Sequence, residues 1–277
     1  MKKISMIFVM LLCLTGCAES LPMYESGLPP ILVQGAMKVE TELLISALDD
    51  PIEYTIKTWK YTAGMINGYP VVVALTKCGF IHASVSTTLA LETFSPCAVI
   101  NQGTAGAHDP ELSSGDIVIM SDCFDASAWH SEPSAKGEGV DYKDIDLLGV
   151  RFYELGFPQS DDIIFLPSDA KLKASALSVK DKYKSGRVVE GRISSTSSWE
   201  NRVDRILFLN EQFSSSCEEM ETFAVANICR IYGVPFLGVR VISNSAIKGI
   251  QFDPKVARYC QDFVIEVVKK IIEERKK

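Results

Sequence analysis

The stretch Gly233-Val-Pro-Phe-Leu-Gly-Val-Arg-Val-Ile-Ser243 reads as a strand with no polar face, since Arg240 is the one charged residue between Val234 and Ile242. A strand with one side in water alternates apolar and polar residues. An unbroken apolar run is instead covered on both sides, as in a parallel sheet between two layers of helix. The neighbouring sequence fits this. Glu219 to Ile231 before the run and Phe252 to Lys277 after it have helical spacing. Further upstream, apolar strands at Ile31–Val33, Cys97–Asn101, Asp116–Met120 and Arg187–Ile193 alternate with helical patterns at Glu40–Leu48, 81–93 and 167–182. Tyr54–Ile66 and Pro70–Thr76 read as β segments joined by Asn67-Gly68, a tight-turn dipeptide. No repeat and no long linker divides the chain. The expectation is therefore an α/β fold: one domain over residues 30–277 with a central, twisted, mixed but mostly parallel sheet flanked by helices.

The first residues differ from this domain. Lys2 and Lys3 precede an almost wholly apolar run from Ile4 to Leu14, which ends in Leu14-Thr15-Gly16-Cys17. A spanning helix needs ~20 apolar residues, so the run is short for one. A charged start, a short apolar core and small residues before a cut have the layout of an export signal. The ending resembles the lipobox of bacterial lipoproteins, which implies a signal peptide over 1–16, lipidation of Cys17 and a tether over 17–29. An ordinary signal peptide that contains a cysteine is the alternative. The lipoprotein reading makes the protein exported and anchored to a bacterial membrane, at the cell surface or the periplasmic face.

Without residues 1–16 the formal charge moves from -7 to -9. An acidic chain with no basic stripe gives no electrostatic case for nucleic acid. The remaining cysteines, at 78, 97, 123, 217, 229 and 260, are widely spaced and form no CxxC pair, so neither a metal site nor a disulfide framework is expected. Asp122 to about Tyr142 is polar and irregular, as suits a surface loop or lid.

Four polar segments close apolar strands, the place where open α/β sheets build their sites. They are Gly35-Ala-Met-Lys-Val-Glu40, Asn101-Gln-Gly-Thr-Ala-Gly106, Cys217-Glu-Glu-Met-Glu-Thr222 and Arg240-Val-Ile-Ser-Asn244. Each has an ordinary explanation when taken alone. Gly-Ala before a helix is a common turn, Gly-x-x-Gly often only bends the chain, and acids gain a few tenths of a kcal/mol at a helix N-terminus.

In order and spacing the segments resemble the nucleoside phosphorylase superfamily, and within it the bacterial methylthioadenosine/S-adenosylhomocysteine nucleosidases. Asp-Pro-x-Leu-x-x-Gly-Asp-Ile-Val at 109–118 adds a fifth match, and the resemblance runs from about Ile31 to Ile272. It implies that Glu40 activates the attacking water and that Glu221, with Glu219 beside it, binds the ribose. Met220 would pack on the sugar, and Met37 would also contact the substrate. Thr104, Ala105 and Gly106 would line it. Trp199 would stack on the purine unless it is a core residue, Phe80 would meet the 5′ side, and Ser243 with Asn244 would face the base. The resemblance further implies a small purine nucleoside as ligand, no cofactor, and a homodimer or larger homo-oligomer.

Two features bear on the reaction. Phosphorylases hold orthophosphate with arginines near the first strand and the glycine loop, whereas this chain has none before Arg151. Water is thus expected as nucleophile, with a phosphate-dependent phosphorylase as the alternative. Second, the nucleosidases carry an aspartate where Asn244 stands. An amide donates a hydrogen bond but delivers no proton. Three readings remain open: a 6-oxopurine nucleoside as substrate, slow cleavage of adenine nucleosides, or a catalytically weak binding or storage protein.

Overall fold

The structure is a computed structural model that describes residues 27–139, 145–156 and 162–276. The export signal, Cys17 and most of the tether lie outside the described residues. The strands are β1 (Ile31–Gly35), β2 (Asp49–Ile56), β3 (Trp59–Ile66), β4 (Tyr69–Leu75), β5 (Ala98–Ala107), β6 (Ile117–Asp125), β7 (Trp129–Ser131), β8 (Ile145–Leu147), β9 (Leu166–Pro167), β10 (Val188–Ser195), β11 (Ser215–Glu219) and β12 (Phe236–Asn244). The helices are α1 (Glu42–Ser46), α2 (Phe80–Phe94), α3 (Val150–Leu155), α4 (Ala170–Ser178), α5 (Val203–Phe213), α6 (Thr222–Tyr232) and α7 (Ala257–Arg275). None of them is long and apolar enough to cross a membrane.

The main sheet is mixed and runs β11-β10-β6-β12-β5-β1-β4-β3-β2. Parallel pairs link β4 to β1, β1 to β5 and β5 to β12. Antiparallel pairing joins β12 to β6 and builds the β2-β3-β4 edge. Asn67 and Gly68 turn that edge with φ of 50° and 69°, the left-handed pair a tight hairpin needs. Lys57-Thr58 makes a second turn inside the segment expected as one strand, so Tyr54–Ile66 is split between β2 and β3.

Alternate residues of β1 show why both faces are apolar. Leu32 packs with Val72, Val99, Ala83 and Phe223, on the side of α2 and α6, while Ile31 and Val33 pack with Val71, Ile100, Val264 and Val268, on the side of α7. Beyond β12 the sheet closes on itself. Both β10 and β5 pair with β11, so β5, β12, β6, β10 and β11 form a ring of five strands. The carboxyl ends of β5, β11 and β12 meet at one rim.

Three expectations are corrected in detail. The glycine segment 103–106 is the continuation of β5 rather than a loop after it. Residues 215–219 form a strand, and the helix behind them starts at Thr222 instead of Glu219. The polar stretch after Asp122 begins inside β6 and includes β7, paired with β8; its residues 140–142 lie outside the described residues.

Candidate active site

A cleft opens at the rim where β5, β11 and β12 end. It is lined by Ala36, Met37, Glu40, Cys78, Thr104 to His108, Ser198 to Glu200, Ile206, Glu218 to Glu221, Ser243, Asn244, Ala246 and Phe252. Every sequence-predicted site residue lies here except Phe80. That ring sits at the start of α2, tilted against Phe223 at 6.5 Å, and packs on the core instead of the cleft.

Glu40 ends a short 3-10 turn after β1 and is buried. One carboxylate oxygen accepts from the amides of Ala36 (2.9 Å) and Met37 (3.0 Å). The other accepts from the amide (2.8 Å) and hydroxyl (2.9 Å) of Thr104. Four donors thus hold four lone pairs in place. Gly103 makes this possible, because a Cβ there would stand 2.8 Å from the carboxylate.

Glu219 and Glu221 flank the start of α6 but differ in environment. Glu219 accepts from the amides of Glu221 (2.9 Å) and Thr222 (2.9 Å), from Ser195 Oγ, and from the buried Arg240. Burial alone would raise its carboxyl, but the Arg240 charge and these donors hold it below the usual range. Arg240 also donates to Asn101 and to Thr222 (2.8 Å). Glu221 accepts from the Gly79 amide at 2.8 Å and stands 4.0 Å from Arg240. Burial and the Glu219 charge push it up to about 8. One oxygen of Glu221 therefore keeps free acceptor capacity, while Glu219 is saturated from below.

Elsewhere in the cleft, Trp199 is 60% exposed and meets Phe252 edge-on at 5.2 Å, so it is no core tryptophan. The Ser243 hydroxyl reaches Asn244 Oδ1 (2.8 Å) and the Ala105 carbonyl (3.1 Å). Asn244 Nδ2 lies where a Cβ on Gly106 would come within 3.1 Å.

Cys78, His108, Glu200, Glu218 and Phe252 also line the cleft, and sequence reasoning gave them no part in the site. Burial and the charges of Glu221 and Glu40 raise the Cys78 thiol to about 11, which makes it a poor nucleophile. His108 is buried with Nδ1 at 3.0 Å from Ser215 Oγ. Burial first and then Arg205 lower it to about 3, so it is neutral. Lys38 pairs with Glu42 at the surface, Arg192 with Asp122, and Lys248 with the Leu112 carbonyl; none lines the cleft. His130 lies in a separate hollow beside β8.

This sheet, with glutamates gathered at the rim where its strands end, is the architecture of a family of nucleoside-handling enzymes. The family model described as Phosphorylase superfamily matches residues 30–273, and the chain belongs to that superfamily. It is 32% identical over 213 residues to the 5'-methylthioadenosine/S-adenosylhomocysteine nucleosidase of Shewanella halifaxensis, covering 76% of this chain and 84% of that one. It is 31% identical over 248 residues to the enzyme of the same name from Bacillus pumilus, covering 86% and 98%. The nucleosidase of Neisseria meningitidis in complex with methylthio-immucillin-A shares the fold, with a TM-score of 0.70, 24% identity and coverage of 87% and 99%.

Proposed function

We propose that the protein is a purine nucleosidase: it hydrolyses the N-glycosidic bond of a purine nucleoside, of the methylthioadenosine/S-adenosylhomocysteine type or with a 6-oxopurine base. The charge of the cleft carries this reading. Glu40, Glu200, Glu218, Glu219 and Glu221 line it, and no lysine or arginine does so among the described residues. Orthophosphate would meet the Glu40 carboxylate, while the nearby guanidiniums of Arg205 and Arg240 are already taken by Glu218 and Glu219; water meets no such barrier. The nucleosidase relatives support the same choice.

On this reading each group has a task. Glu221, held by Gly79 on one oxygen, accepts from the two ribose hydroxyls, and those donors favour its charged form. Met220 and Met37 cover the sugar, and Trp199 covers the base. Glu40 needs one lone pair for water. The Thr104 hydroxyl supplies it by turning from Glu40 to the bound sugar, leaving the three amides to hold the carboxylate in place. Water then lies between Glu40 and the anomeric carbon, and its proton passes to Glu40 as the bond breaks. Asn244 and Ser243 hold the base by hydrogen bonds.

Asn244 favours a second reading, of a weak enzyme or a binding protein, because an amide cannot protonate a leaving base. One panel separates these. Methylthioadenosine, S-adenosylhomocysteine, adenosine, inosine and guanosine are incubated with the mature protein, with and without phosphate. Release of free base without phosphate is expected, and Glu40→Gln should reduce it by ~10²–10⁴. Strict dependence on phosphate would sink the hydrolase reading; thermal stabilisation by a nucleoside without cleavage would establish the binding protein. Asn244→Asp should raise adenine-nucleoside cleavage.

The sequence supports two further proposals. Cys17 carries a lipid after removal of residues 1–16 and anchors the protein, which labelling with palmitate tests: label that persists in Cys17→Ser refutes it. The protein is a homodimer or larger homo-oligomer, in keeping with exposed Ile81 and Ile231 on α2 and α6; a monomer by light scattering refutes that.

A further inference from the structure

The cleft holds an acid that can do what Asn244 cannot. Gly106 of β5 pairs with Asn244 of β12 on one side and with Glu218 of β11 on the other. The register of β12 shifts between Ile242 and Asn244, a bulge that turns Asn244 toward the site, and all three positions line the cleft. Two strand spacings of ~4.8 Å put the Glu218 and Asn244 backbones about 10 Å apart. Gly106 has no side chain, which lets the Asn244 amide lie over the strand within 3.1 Å of where a Cβ would stand; a flat base resting beside that amide has the Glu218 carboxyl across the cleft from it.

Glu218 is held for this position. Its Oε2 accepts from Arg205 of α5 at 3.1 Å and lies 3.8 Å from His108 Nε2. Its Oε1 makes no hydrogen bond among the described residues, although the residue is only 9% exposed. We propose that Glu218, in its protonated form, is the catalytic acid that delivers a proton to the leaving base, with Asn244 reduced to orienting it. This rests on the nucleosidase reading. The glycosidic bond breaks with its electron pair going to the base, and the Glu218 proton moves to a ring nitrogen. Water gives its oxygen to the anomeric carbon and its proton to Glu40, and solvent returns that proton to Glu218 before the next turnover.

The surroundings agree. Burial raises the Glu218 carboxyl to about 7 against the opposing pull of Arg205, while Glu200 and Glu219 raise it further. The remaining neighbour, His108, is neutral and adds no charge. A buried acid that titrates near neutrality is suited to proton transfer at that pH.

The test compares a cleaved nucleoside with its N7-methylated cation: adenosine against 7-methyladenosine across pH, or guanosine against 7-methylguanosine at pH 6, where the latter keeps its N1 proton. The methylated base leaves neutral and needs no proton. In the wild type, the rate on the unmethylated nucleoside relative to the methylated one should fall as pH rises through about 7. In Glu218→Gln, kcat on the unmethylated nucleoside should drop about a hundredfold, and at least about tenfold more than on its methylated counterpart. Equal losses on both would make Glu218 a structural residue and overturn the proposal, as would a wild-type ratio flat between pH 6 and 9. The wild-type comparison stands even if the variant fails to fold. Should the wild type cleave neither member of a pair, the nucleosidase reading itself fails.

Discussion

At the scale of single residues, the site depends on side chains that are missing. Gly103 and Gly106 lie in a strand, where glycine weakens the ladder and gives nothing to pack. Their value is the space they leave, for the Glu40 carboxylate at one position and for the Asn244 amide at the other. Gly103→Ala should therefore act on catalysis more than on folding. Its Cβ would lie 2.8 Å from Glu40 Oε1 and 2.9 Å from the carboxyl carbon, closer than van der Waals contact allows. The side chain must shift, and the amides of Ala36, Met37 and Thr104 cannot follow it. A kcat reduced by about a hundredfold is expected, since misplacing a catalytic group by ~1 Å costs that much, with thermal unfolding little changed. An unaltered kcat would show that Glu40 is less constrained than its four donors imply.

At the scale of elements, β11, β12 and α6 are joined through one carboxylate. Glu219 closes β11, receives the first amides of α6 and holds Arg240 of β12, so three elements meet at a carboxylate with almost no exposure. Removing one partner of a buried pair leaves an uncompensated charge at a cost of ~3–5 kcal/mol. Glu219→Gln should lower unfolding free energy in urea by about 3 kcal/mol; a loss under about 1 kcal/mol would mean that Glu221 takes over the pairing at 4.0 Å. This junction also marks where the sequence stops being legible. β12 and α2 could be read because apolar runs and helical spacing are local properties. The Ser215–Glu219 segment has no β pattern, and its strand state comes from the backbones of β10 and β5 on either side. Its acids therefore looked like helix-terminal charges. Only the resemblance gives Glu219 a place beside the ribose, and nothing local in the sequence gives Glu218 its place in the cleft. α5 was missed too, although it buries Ile206 and Leu209 and positions Arg205. Residues that the motifs quoted were brought together, whereas His108 and Glu200 depended on the ring closure that no local pattern announces.

At the scale of the whole molecule, the acid-lined cleft couples stability to pH. Glu218 and Glu221 have folded-state values of about 7 and about 8, against 4.5 when free, so each binds its proton more tightly in the folded chain. The stability they contribute is complete below 4.5 and is lost as pH rises through 7 and 8. His108 works in the opposite direction. Lowered from 6.5 to about 3, it contributes stability that is present above 6.5 and is lost as pH falls toward 3. Between 4.5 and 6.5 the two trends oppose each other, so only the range above 6.5 isolates the glutamates. The empty protein should therefore lose melting temperature from pH 6.5 to 8.5, and Glu221→Gln should flatten the later part of that slope. A nucleoside whose ribose hydroxyls donate to Glu221 favours its charged form, so it should stabilise the protein more at pH 8.5 than at pH 6.5. Melting curves across this range, with and without a bound nucleoside analogue, measure both effects. Glu218 titrates in the same window, so the deciding curves are those of Glu218→Gln: stabilisation that is constant with pH in that variant would remove Glu221 from the ribose site.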